Sequence, residues 1–222
     1  MSSSAIQLLV LAGIAIFLIL KLRNVLGTRE GFEKPPAPVG DKSPASSRSR
    51  ANLEVIEGGP DEDITDHVDE SSPAAKALAA MKRHDPSFNV GGFLQGARGA
   101  YEMILMAFEN GELEPIVPFV SKDVFDSLSE VVDQREAQGL TIEANFVGVR
   151  EVTLVAAEFD ETTRIGEVTV KFVGELTSVV KNAAGEVIEG NPNEIKRQKD
   201  VWTFAREMGS DDPNWQLVAT GE

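Results

Sequence analysis

The chain has no cysteine, one tyrosine and only two histidines among its 222 residues. Without a thiolate there is no disulfide framework, no zinc–thiolate centre and no cysteine nucleophile. The histidines, His67 and His84, fall outside the segments whose patterning predicts a packed domain. Positive charge is scarce as well: 21 Lys and Arg stand against 36 Asp and Glu, a formal charge of −15. That balance excludes the basic stripe on which nucleic-acid binding depends. It also disfavours broad adhesion to anionic lipid headgroups. Neither a cofactor nor a metal is expected from the residues available.

What is present, first, is one long apolar run. Residues 5–20, AIQLLVLAGIAIFLIL, carry no charge. Their anchor positions are Ile6, Leu8, Leu9, Val10, Leu11, Ile14, Ile16, Phe17, Leu18, Ile19 and Leu20. These side chains together contribute roughly −3 to −7 kcal/mol to bilayer insertion. Sixteen helical residues rise about 24 Å, and extension to Leu22 or Leu26, with Lys21 and Arg23 snorkelling, reaches a hydrocarbon core of about 30 Å. Lys21, Arg23 and Arg29 follow the run, the reverse of a cleaved signal peptide. The pattern predicts an uncleaved transmembrane anchor over residues 1–26, with the N-terminus outside and the remainder in the cytoplasm.

Residues 27–73 are rich in Pro, Ser, Gly and charge, and are expected to form a disordered tether. It starts mildly basic (Arg29, Lys34, Lys42, Arg48, Arg50) and turns acidic at DEDITDHVDE, residues 61–70. A calcium-binding EF-hand loop needs glycine at its sixth position, where this run has Asp66. A solvated acidic linker is therefore expected, not a metal site. A short helix is expected over residues 74–84, capped by Ser72 with Pro73 in its first turn.

The stretch GGFLQGARGAYEMILMAFENGE, residues 91–112, invites comparison with a phosphate-binding loop. Gly91 and Gly96 have the Walker spacing, but Ala97 and Arg98 stand where lysine and a hydroxyl are required. The preceding HDPSFNV is no strand, and no glycine trio fits the dinucleotide fingerprint. At 100° per residue the segment reads instead as a helix that is apolar over most of its circumference. Gly92, Gly96, Gly99, Met103 and Met106 form one stripe, a candidate docking face for a partner. Phe93, Tyr101, Ile104 and Phe108 form the neighbouring one, a candidate pocket or core. Arg98 and Glu102 would cost roughly 5–7 kcal/mol in a bilayer, so this is not a second span. The glycines, at about 1 kcal/mol each in helix propensity, are expected to admit another backbone closely.

A second helix is expected over residues 121–139, with Phe125 on its inner face. The period then changes to two: residues 140–149, 153–160, 166–180, 195–206 and 214–220 read as strands, with KNAAGE (181–186) as a turn. Phe172 and Trp202 join the candidate core or pocket. Helices followed by an antiparallel meander define an α+β fold in which helices pack on one face of a curved sheet. No catalytic constellation emerges. Tyr101 reads as a core aromatic with one hydrogen bond, and Asp200 and Glu175 read as solvent-facing strand residues.

Residues 85–128 resemble the opening of the Tim-forty-four-like domain, the C-terminal domain of the mitochondrial import-motor scaffold. The matching elements are Asp85-Pro86-x-Phe88, Phe93-Leu94, Ala97, Ala100-Tyr101-Glu102-Met103-Ile104 and Ala107-Phe108, followed by Arg135-Glu136 and Gly139. The anchor with LKLRNVLGTREG after it resembles the membrane-anchored alphaproteobacterial type. The resemblance covers the anchor and residues 80–220, and implies a domain over residues 85–222. It implies a cone-like domain of the nuclear-transport-factor-two class with a hydrophobic pocket, and a bacterial inner-membrane location. The function expected on that basis is a tethered, non-enzymatic adaptor, its protein partners including chaperones and translocation or insertion machinery. A lipid- or small-ligand-binding domain held at the membrane is the alternative, and a cone-fold enzyme a weaker one.

Overall fold

The computed structural model describes residues 61–221. The expected anchor over residues 1–26 and most of the expected tether lie outside the described residues. Among the described residues, no helix is long and apolar enough to cross a membrane.

Among the described residues, four α-helices precede five strands: α1 (Glu62–Thr65), α2 (Pro73–His84), α3 (Val90–Asn110) and α4 (Lys122–Ala137), with a 3-10 turn at Glu114–Phe119 between the last two. Strands β1 (Thr141–Asp160), β2 (Ile165–Lys181), β3 (Val187–Gly190), β4 (Lys196–Glu207) and β5 (Gln216–Gly221) form one antiparallel sheet. Its order is β1-β2-β4-β5, with β3 paired to the end of β2. Helices α2 and α3 pack on β1, and α4 meets β5. The fold is thus α+β, with N-terminal helices on a five-stranded antiparallel sheet.

The core sits between α3 and the inner face of the sheet. Alternation along β2 leaves Val168, Val170 and Phe172 with no exposed surface, and Trp202 and Phe204 continue that layer on β4. Where patterning predicts two strands, at 140–149 and 153–160, one 20-residue strand runs through. Its register shifts at Phe146/Gly148, Val149/Glu151 and Leu154/Ala156. Such bulges interrupt the alternation that pattern reading relies on, without ending the strand. Strand β3 has no sequence signal for a related reason: all four of its residues are exposed, so no buried face imposes a period.

The acidic run departs from its reading as a solvated linker. Asp61 caps α1 through its side chain, and Ile64 enters the core with 4% of its surface exposed. The Asp63 carboxylate accepts hydrogen bonds from the Val90 and Gly91 amides at 2.8 and 2.9 Å and pairs with Lys82 at 2.8 Å. Asn89 accepts the Gly92 amide at 2.6 Å. Donors at the start of α3 that would otherwise lack partners are thereby satisfied. Composition cannot reveal this, because the acceptor lies 27 residues from its donor.

Candidate functional site

The glycine face of α3 borders an open groove of about 460 Å³. Gly92, Gly96, Gly99 and Met103 line it together with the aromatic rings of Phe88 and Trp215. The expectation that these glycines admit another backbone is not met among the described residues. Gly96 and Gly99 are exposed, and a Cβ built at either would meet nothing within 4 Å. Among the described residues, the small side chains shape the groove instead. Met106, placed on the same stripe by the helical wheel, does not line it.

The aromatic wall is a connected cluster. Phe93 lies 4.6 Å from Trp215 and 6.1 Å from Phe204 between ring centroids, and Phe88 lies 5.7 Å from Trp215. These are offset and edge-on spacings that add to simple burial. Phe93 therefore serves both the groove and the core beneath it.

Arg206 also lines the groove. It forms an ion pair with Asp85 in which both side chains are 10% exposed. Its Nη1 donates to the Pro213 carbonyl at 3.3 Å, and its guanidinium stands 5.3 Å from the Trp215 ring. The buried Nε has no hydrogen-bond partner among the described residues. The Ser87 hydroxyl and amide donate to Asp85 at 2.5 and 3.0 Å. The hydroxyl first, and Arg206 after it, hold the Asp85 carboxyl below its ordinary value against the effect of burial. The Asp85-Pro86-x-Phe88 motif thus has a physical account: its acid locks β4 to the end of α2, and its aromatic starts the groove wall. Arg206 escaped the sequence reading, although alternation from Trp202 and Phe204 puts it on the inner face.

Arg135 fastens α4 beneath α3. Its guanidinium donates to the Phe108 carbonyl at 3.1 Å and sits 4.1 Å from the centroid of that ring, a cation at a helix C-terminus. Burial, partly offset by Arg135, raises the neighbouring Glu109 carboxyl above its ordinary value. Gly139 follows in the left-handed region at φ 64°.

The other candidate pocket residues divide into two groups. Tyr101, Ile104, Phe172 and Trp202 are buried, whereas Phe108 and Phe125 are half-buried beside the core. Tyr101 stacks on Phe172 at 4.6 Å and 13°. Its hydroxyl donates to Asp200 Oδ2 at 2.5 Å. Burial first, then the Asp200 carboxylate, drives that hydroxyl far above its ordinary pKa. The reading of Asp200 as solvent-facing is corrected here: it is 9% exposed and shares the inner face of β4 with Trp202 and Phe204. Alternation predicts the outside only if Asp200 is set out of phase with Trp202, whereas a continuous strand puts residues 200, 202 and 204 on one face. Glu175 lies on the other face, where it pairs with Arg197 and Arg150. Among the described residues, no group of His, Asp or Glu is arranged to hold a metal ion.

Helices over an antiparallel sheet, with a small-residue groove along the longest helix, define the class: an α+β domain built around a surface channel. The Tim44-like domain matches residues 74–222, and the chain belongs to that family. It is 27% identical over 147 residues to the mitochondrial import inner membrane translocase subunit TIM44 of Homo sapiens. The corresponding protein of Rattus norvegicus is 28% identical over 147 residues. Each alignment covers 65% of this chain and 32% of the relative, so the chain spans about a third of the length of these relatives. The intermembrane space region of the chloroplast protein ARC6 aligns over 57% of this chain and 93% of its own, at 7% identity and a TM-score of 0.38. That likeness is too slight to carry an argument.

Proposed function

We propose that this chain is a non-enzymatic adaptor, tethered to a bacterial inner membrane by residues 1–26, with its Tim44-like domain on the cytoplasmic side. The domain docks a protein partner belonging to membrane translocation or assembly machinery, and the α3 groove is the docking surface. One observation carries this reading: Gly96 and Gly99 sit mid-helix with no neighbour among the described residues within 4 Å of where a side chain would begin. Glycine costs about 1 kcal/mol relative to alanine in such a position. Two of them facing an aromatic-walled channel keep space for something outside the domain. The relatives are translocase subunits by name, which supports a protein as the occupant.

Photo-methionine incorporated into the full-length chain in its membrane tests this, because it replaces Met103 in the groove almost isosterically. A reproducible protein adduct mapped to Met103, and lost in Gly96→Leu, is the expected result. A lipid adduct at Met103 without any protein adduct would favour the competing reading, a lipid-binding channel, for which the apolar wall of Phe88, Phe93 and Trp215 is the supporting feature. A protein adduct indifferent to Gly96→Leu would remove the groove from the reading.

A further inference from the structure

We infer that the outer face of the sheet, the side turned away from α3, is an interface for a second copy of this chain. Side chains alternate across a strand. The register that buries Val170, Phe172, Trp202 and Phe204 therefore turns residues 165, 167, 169, 171 and 173 of β2 outward, with their neighbours on β1 and β4. The middle of that face is uncharged. Thr169 and Thr203 stand opposite each other with their hydroxyls 3.0 Å apart, and Ala156, Val201 and Ala205 flank them, half-exposed. To either side the charges divide by sign. Toward the β1–β2 turn stand Glu158, Glu167 and Glu207; toward the other end stand Lys171 and Lys199.

Neither end is settled within one chain. Glu158 and Glu167 are directly opposite in register and both exposed, a like-charge pairing that costs stability. They border a hollow of about 410 Å³ whose lining includes Asp160 and Ile165 and no described cation. Lys171 reaches Glu151 only at 3.5 Å with both side chains well exposed, a contact of little energy. Lys199 makes no ion pair among the described residues and acts on Glu151 from longer range. A second copy supplies what both ends lack. A two-fold axis across the strands, over Thr169 and Thr203, lays β2 antiparallel on β2 of the second copy. Glu167, two residues to one side of the axis, then faces Lys171, two residues to the other, and Glu207 likewise faces Lys199. Ile165, 40% exposed, comes over Val173 at the same level. Each contact occurs twice, as an isologous interface requires. Packed sheets sit about 10 Å apart, close enough for small central side chains to meet while the long ones reach across. The chain's charge of −15 opposes self-association in general, so the match has to be local, as it is here. A wholly basic partner would suit the acidic end and be repelled by Lys171 and Lys199.

The chain has no cysteine, so one introduced thiol reports one position. In membranes carrying the full-length chain, Thr169→Cys treated with a short bismaleimide is expected to give a covalent dimer, because a residue on a two-fold axis meets its own counterpart. Glu130→Cys, exposed on α4, is expected to give none. Added to Thr169→Cys, either Glu167→Lys or Lys171→Glu alone should abolish the dimer through like-charge contacts across the axis. Coexpressing those two chains under different tags should restore it as a heterodimer, since each then meets opposite charge at both positions. A role confined to one chain is not rescued in this way. No dimer at Thr169→Cys, an equal yield at Glu130→Cys, charge variants that crosslink as well as their parent, or a coexpressed pair that does not crosslink would overturn the assignment. Should a charge variant fail to fold, the comparison of Thr169→Cys with Glu130→Cys still decides. The groove lies on the helix side of the sheet and is read at Met103, so failure here leaves the adaptor reading untouched.

Discussion

Two glycines of the same domain have opposite physical roles. Gly174 on β2 lies under the Tyr101 ring: an added Cβ would stand 2.6 Å from the hydroxyl oxygen and 3.0 Å from Cε1. That ring is fixed between Phe172 and Trp202, at centroid distances of 4.6 and 4.8 Å, so it cannot give way. Gly174→Ala should lower unfolding stability by about 1–3 kcal/mol, the usual cost of overpacking, read by chemical denaturation. A Cβ added at Gly96 on α3 would meet nothing within 4 Å among the described residues. Gly96→Ala should raise stability by up to about 1 kcal/mol through helix propensity, measured in the same way. A loss at Gly96 would show that some part of the chain fills the groove. The pair separates a glycine kept for internal packing from one kept for space, a distinction that spacing in the sequence does not make.

At the scale of elements, α1 is small, but it closes the start of α3. Burial disfavours the ionised form of Asp63, yet Lys82 and the Gly91 and Val90 amides prevail and hold its carboxyl below the ordinary value. A depressed folded value means that the contribution is present above the unfolded value, about 3.9, and is lost as pH falls through the folded one. Acidification below about pH 4 should therefore loosen the α1–α3 junction, with the sign set by the carboxylate being the better-bound form. Hydrogen exchange at the Val90 and Gly91 amides measures this directly. Asp63→Asn should remove the Asp63 part of the pH dependence, and protection unchanged between pH 5 and pH 3 would rule the mechanism out. Asp85 is depressed too, so global acid unfolding should overlap the same range. The local amide readout distinguishes the two.

For the molecule as a whole, the proposed anchor would decide where the domain works. On that proposal a reporter fused to the C-terminus should be active in the cytoplasm and silent in the periplasm, and the opposite pattern would overturn the proposed orientation. Much of the domain was legible in the chain itself. Ser72 and Ser121 cap their helices through side-chain oxygens, and the alternation through Val168, Val170 and Phe172 marks a buried strand face. The family motif was legible as well, since residues such as Asp85 and Phe88 carry it in order. Less was legible of the site. Asp63, Asp85 and Asp200 all look like surface acids by composition, yet each is held by a donor from elsewhere in the chain: Val90, Arg206 and Tyr101. The sequence by itself determined the elements and their apolar faces, because hydrophobic periodicity and capping act over a few residues. Only the tertiary structure decided which acids are internal and that no described residue covers the glycine face at Gly96 and Gly99. Those outcomes depend on contacts across as many as 121 positions, as between Arg206 and Asp85, and local pattern holds no record of them.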